Sequence, residues 1–169
     1  MDFHEHFHIF IMSFIDRSDR CFVLNCMADI LHDFFINAPV LRVFDTVSHP
    51  AGLDKWWTKS SSGKPGGGEK YKLGFGPEYQ WEATVSRYTP EKEFEFEMTR
   101  SDKDWDKTHV GFVIKPADSG IQVRFYHTGW PVLNEHYRIS CYCWAMYLRL
   151  LKLNLENGLV VPYEQRLNV

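Results

Sequence analysis

His127 is the side chain that most invites a chemical role. It continues Ile121, Val123 and Phe125 in steps of two, so on a strand its imidazole shares their apolar side. A buried imidazole costs desolvation energy unless a neighbour satisfies it, and a carbonyl of a Thr128–Gly129 turn is the expected partner. Two roles fit: a satisfied core histidine, or a polar contact to a bound ligand. Catalysis has less support, because no second titratable group converges on it. Glu93, Glu95 and Glu97 could share acid–base work only in a recess that shifts one of them. They alternate with Phe94, Phe96 and Met98, which predicts a solvated outward row with Lys72 and Arg87 as weak cross-strand partners.

The remaining chemical candidates are excluded by spacing. Cys141 and Cys143 lie two apart in a helical stretch, about 200° around its axis, so they can neither bridge nor hold one metal together. Cys141 faces the core. There is no HExxH, GxSxG or Cys–His metal spacing, so no metal and no cofactor is expected. Gly63-Lys64 is followed by Pro65 and then by a strand, which fails as a phosphate cradle. The SSSGKPGGG stretch at 60–68 reads as a mobile loop, either a gate or a plain connection.

Composition narrows the class. The chain has 169 residues, 19 Lys plus Arg against 22 Asp plus Glu, and 16% aromatic residues. That length suits one domain, which should bury about 68–70% of the surface its unfolded chain exposes. No run approaches the roughly 18 apolar residues of a membrane span, and a net charge of -3 offers no basic footprint for nucleic acid. A soluble globular protein is expected, with no nucleic-acid partner and no membrane span. Cysteines at 21, 26, 141 and 143 form no CxxC pair or disulfide framework, so the expected compartment is the cytoplasm. Residues 1–26 lack the basic start of a signal peptide, and composition shifts at Met27. They read as an extension, mis-assigned or disordered; His4, His6 and His8 would form a chelating row only if extended.

The elements that must position these residues follow from periodicity. Residues 29–37 read as a strand, 39–47 and 50–57 as short helices, with Pro39 and Pro50 at their starts. Five further strands alternate apolar with polar at 69–75, 79–89, 92–99, 107–116 and 120–127, an antiparallel meander with one core face. The polar run Ser101 to Asp106 is one of its turns. Leu133, Tyr137, Cys141, Trp144, Leu148, Leu151 and Leu155 form a helical stripe closed by Gly158. From 133 to 157 that helix is roughly 37 Å long.

This order, strand, two short helices, meander and long final helix, matches the helix-grip fold. APVLRVFDTVSHPAGLDKWWT at 38–58, WEATVS at 81–86, YHTGW at 126–130 and the stretch from Trp144 to the closing LENG at 155–158 resemble the START-like (SRPBCC) domains of AHSA type, named for activators of a heat-shock chaperone ATPase. The resemblance covers about 27–162 and leaves 163–169 as a tail. It implies an α+β fold, a six-stranded sheet around the last helix, with a cavity for apolar ligands between them. Expected walls are Phe75, Trp81, Phe96, Phe112, Phe125, His127, Tyr137, Cys141 and Trp144, with Trp56, Trp57 and Trp130 at the rim; the alternative is that these rings simply fill the core. A non-enzymatic binder of an apolar or aromatic small molecule is the leading reading. A chaperone as partner, in a stress-response setting, is the second, although this chain lacks the separate chaperone-binding domain of the eukaryotic activators. A cyclase or hydrolase built in the cavity is the third.

Overall fold

The computed structural model describes residues 28–168. Expectations placed on residues 1–26, including the His4, His6, His8 row and Cys21 and Cys26, lie outside the described residues.

Strand β1 (Ala28–Ile36) leads into helices α1 (Val40–Ser48) and α2 (Pro50–Trp56). Pro39 caps α1 with extended backbone, and its Val43, Phe44 and Val47 are buried together as the stripe requires. His49 is extended at ψ 145°, which breaks the helix and lets Pro50 open the next one at its favoured first position.

The sheet has seven strands, one more than expected. After β2 (Ser60–Ser62) come β3 (Lys70–Gly74), β4 (Gln80–Thr89), β5 (Glu93–Arg100), β6 (His109–Ala117) and β7 (Gly120–Trp130), in the spatial order β1-β7-β6-β5-β4-β3-β2. All pairs are antiparallel. The extra strand lies inside the expected loop, because three serines carry no alternation while their backbone pairs Ser60 with Gly74 and Ser62 with Lys72. The glycine turn beyond it is also tied down, with Gly68 N–H donating to the Val85 carbonyl at 2.8 Å.

Helix α3 (Glu135–Asn157) starts two residues later than its stripe suggested. Asn134 caps it by accepting the Tyr137 N–H at 2.9 Å, and Gly158 ends it at φ 71°, the left-handed position glycine adopts without penalty. Leu133 is left exposed, while Trp144, Leu148, Leu151 and Leu155 are buried. One core is shared by the inner sheet face, α1, α2 and α3. The expected tail folds as a 3-10 turn, Tyr163–Asn168, anchored by Arg166, whose buried guanidinium donates to the carbonyls of Thr58, Asp54 and Val161. Among the described residues no helix is long and apolar enough to cross a membrane.

Candidate functional site

His127 sits where its period places it, fully buried, but its partners are not those expected. Residues 128 and 129 continue β7 instead of turning. The Trp144 indole N–H donates to His127 Nδ1 at 3.0 Å, and the other nitrogen, Nε2, lies 2.9 Å from Thr108 Oγ1. An indole can only donate, so Nδ1 accepts and Nε2 carries the proton. Thr108 Oγ1 therefore accepts from His127 and donates onward to the Trp105 carbonyl at 2.6 Å. The chain Trp144→His127→Thr108→Trp105 satisfies a neutral imidazole completely. Burial holds the His127 pKa down, at about 3, with His136 and His109 adding to the shift.

Around this relay the expected wall residues converge ring on ring. Phe125 lies 4.5 Å and Trp57 5.2 Å from Trp144 between ring centres; Phe112 touches Phe125 at 5.3 Å and Trp56 at 5.9 Å. Trp57 also meets Phe75 and Phe96, Phe75 meets Trp81 at 4.9 Å, and Trp130 meets Tyr137 at 5.4 Å. Trp56, Trp57 and Trp130, expected at a rim, are buried in the core because α2 and the end of β7 fold over the seam. Phe75, Trp81, Tyr137 and Cys141 are the half-buried members. Cys143, on the other side of α3, is also half-buried, and burial raises its thiol pKa.

The residue missing from the sequence reading is Trp105. The β5–β6 connection drives its indole, 7% exposed, against Trp81 at 4.8 Å, His127 at 4.4 Å and Trp144 at 5.7 Å. Its only signal was a tryptophan within the polar run SDKDWDK, where solvent exposure would be costly. The indole N–H groups of Trp105 and Trp130 are buried without an acceptor among the described residues.

On the outer face Glu95 corrects the expectation of a solvated row. It is 5% exposed, and its carboxylate accepts from Ser86 Oγ at 2.7 Å, Tyr126 Oη at 2.7 Å and His109 Nδ1 at 3.2 Å, with Arg87 Nε at 3.5 Å. Tyr126 reaches it by lying across Gly111, where any Cβ would strike the phenol ring. Arg87 also pairs Glu93 at 3.0 Å, as the cross-strand reading anticipated, whereas Lys72 faces Glu82. Burial and the Glu95 bond push the Tyr126 pKa above its usual value. Both oxygens of Glu95 accept hydrogen bonds, so the cluster ties β4, β5, β6 and β7 together.

Among the described residues no three His, Cys, Asp or Glu side chains gather to hold a metal. A recess of about 620 Å³ lies away from the seam, against Leu41, Arg42, Asp45, His49, Lys55 and Val160. An antiparallel sheet backed by two short helices and a long C-terminal helix, with an aromatic seam between sheet and helix, defines a helix-grip domain of START-like class. The chain belongs to the family described as Activator of Hsp90 ATPase homolog 1-like protein, whose profile matches residues 37–156. It is similar to the Aha1 dimer of Colwellia psychrerythraea, 26% identical with TM-score 0.71, over 78% of this chain and 98% of that one. A Staphylococcus saprophyticus protein is 18% identical at TM-score 0.66, over 79% of this chain and 96% of that one. A Bacillus halodurans protein is 20% identical at TM-score 0.65, over 77% and 98%. No curated protein matches the sequence significantly.

Proposed function

We propose that this domain binds an apolar or aromatic small molecule in the seam between the inner sheet face and α3, without chemical turnover. One observation carries the reading: an aromatic-lined seam retains two buried indole N–H donors, on Trp105 and Trp130, that nothing among the described residues satisfies. A finished core rarely leaves such donors unmet, since each costs about 1–3 kcal/mol. A ligand carrying an acceptor meets them. His127, with both nitrogens engaged by Thr108 and Trp144, supports a reading without turnover.

The test is a panel of flavonoids, fatty acids and steroids, read by tryptophan emission and melting temperature. A ligand at 100 times its Kd stabilises the fold by about 2.7 kcal/mol. A panel that moves neither signal removes the reading. An enzyme would consume the bound ligand over time and lose that activity in His127→Ala; the proposal expects His127→Ala to weaken binding alone.

Stimulation of a chaperone ATPase is a second reading, favoured by one observation. The matched Aha1 is covered over 98% of its own length by the domain described here. Unchanged ATP turnover at saturating domain, with no heat of binding, removes that reading.

A further inference from the structure

The recess away from the seam lies where α1 and α2 meet the chain leaving α3, and its walls combine cations with aliphatic side chains. Gly52 sets the corner. A Cβ there would fall 2.5 Å from the Thr46 Cα and backbone oxygen, so any side chain at this position would push α2 off α1. With the two helices closed together, Arg42 from α1 and Lys55 from α2 line one recess. The opposite wall is fixed by Asn154, which is buried and donates Nδ2 to the Leu159 carbonyl at 3.1 Å. Beyond that anchor Val161 turns into the core, while Leu159 and Val160 stay half in water, 47% and 52% exposed. Leu41 joins them at 56%, because it lies off the Val43, Phe44 and Val47 stripe that α1 buries.

The charges on this wall are left open. Arg87, Arg100 and Arg124 each pair with a carboxylate, whereas among the described residues neither Arg42 nor Lys55 has one within ion-pair distance. The lining holds a single carboxylate, Asp45, and that group faces His49 Nδ1 at 3.5 Å. Two cations therefore meet the recess beside one partnered acid, in a protein whose net charge is -3. The recess, about 620 Å³, is open along one side. A small molecule seated in it would leave much of its surface in water, unlike the ligands of enclosed pockets. A polypeptide that continues over Leu41 and Leu159 covers those side chains as well.

We propose that this recess docks an acidic segment of another protein, with an aliphatic side chain of that segment set against Leu41, Ala51 and Val160 and its flanking carboxylates reaching Arg42 and Lys55. Nothing in this inference depends on a ligand in the seam. The aliphatic side chain follows from Leu41 and Val160, whose exposed apolar surface gains by leaving water. The carboxylates follow from the two open cations. An acidic partner is repelled by the protein as a whole, so a local reversal of sign selects where it lands. Ion pairs at such an exposed rim are screened by salt, so their share of the affinity must fall as ionic strength rises.

The experiment adds a blocked peptide, acetyl-Glu-Asp-Leu-Asp-Glu-amide, to the ¹⁵N-labelled full chain and follows the backbone amide signals. Two control peptides replace the leucine by serine or every acid by lysine, and N-acetylleucine supplies the same side chain and a carboxylate without a polypeptide. Saturable shifts are expected at Ala51, Lys55, Gly158 and Val160, with His127 and Trp144 unmoved. Binding should weaken about tenfold in the double variant Arg42→Glu with Lys55→Glu and about fivefold for the serine peptide, and it should fall as salt is raised. The lysine peptide and N-acetylleucine should both bind more weakly than the acidic peptide. Arg42 and Lys55 are exposed, so the double variant should melt with the wild type. Should it fail to fold, the salt dependence and the lysine peptide decide on the wild-type chain. Shifts that fail to appear, that centre on the seam, or that saturate equally in the double variant overturn the site. Equal binding of the lysine peptide overturns the charge complementarity, and equal binding of the serine peptide overturns the aliphatic contact. If N-acetylleucine binds as tightly as the acidic peptide, the recess takes small anions and the protein partner is wrong. If the same amides shift with protein concentration alone, a second copy of this chain occupies the recess and the proposal falls.

Discussion

Two rows of residues cross the same strands on opposite faces of the sheet, and each buries one titratable group by different means. On the inner face Phe96, Val110, His127 and Ile30 are register partners; on the outer face Arg87, Glu95, Gly111, Tyr126 and Leu31 are. His127 is buried by rings from other layers, and its neighbours supply one donor and one acceptor, which suits only the neutral form. Glu95 is buried by its own sheet, and its neighbours are nearly all donors, which suits a carboxylate. Depth alone therefore does not determine the form of a buried group; the balance of donors and acceptors around it does.

The sharpest way to break this contrast is to remove the residue that links the inner relay to the helix. Trp144→Ala deletes rings packed against Phe125, Trp57 and Trp105 and also strips His127 Nδ1 of its donor. We expect a loss of about 3–5 kcal/mol in denaturant melts, as for aromatic-to-alanine changes in filled cores. A loss near 1 kcal/mol would mean that the seam is an open wall with few packed contacts, and the inner face would then not be the one sealed by packing.

The inner row was largely legible in the sequence and the outer one was not, for a physical reason. Period-two alternation assigns His127 and Phe125 to one face, and a 3.6 period assigns Trp144 to a stripe; the helix-grip resemblance set that stripe against the sheet. Alternation says nothing about what a strand two positions away lays over that face. Glu95 is covered by Tyr126 from β7, and the clue was Gly111 in the intervening strand, since a glycine inside a strand marks a close approach. Trp105 was missed because a connection has no period to read, and β2 because a strand made of serines has no alternation. The partners of His127 lie 17 and 19 residues away on α3 and just ahead of β6, beyond the reach of any local pattern.

A second test sharpens the difference in donor balance through pH. The unfolded chain protonates His127 near its ordinary 6.5, whereas the folded chain resists protonation until about 3. Stability from this group is complete above about pH 7 and is lost progressively as pH falls from 6.5 toward 3, because the unfolded state takes up the proton first. Between pH 7 and pH 5 the loss is about 2 kcal/mol. His32, also lowered by burial, adds to the slope in the same direction. His127→Gln keeps one donor for Thr108 and one acceptor for Trp144 but cannot titrate, so its stability should change less over that range. Parallel pH–stability curves for wild type and variant would show that His127 is not what the inner face keeps neutral.

The smallest effect should come from the outer face, and it tests whether one missing Cβ is what buries Glu95. Gly111→Ala places a methyl group where the Tyr126 ring lies, so the phenol must lift from the sheet. Glu95 keeps Ser86 and His109, and the displaced hydroxyl gains water, so only one hydrogen bond is lost at net cost. About 1 kcal/mol is expected, the usual net worth of such a bond. The more telling reading is optical. Tyr126 is held above its ordinary titration range by burial and by the Glu95 oxygen, and freeing it should bring its ionisation back toward that of a solvent-exposed tyrosine. The alkaline absorbance titration should therefore show one additional tyrosine ionising early in Gly111→Ala, with His127-dependent stability at low pH unchanged. If the titration matches wild type, Tyr126 has other room on the sheet, and the outer row then depends on Ser86, His109 and Arg87 instead of on the glycine.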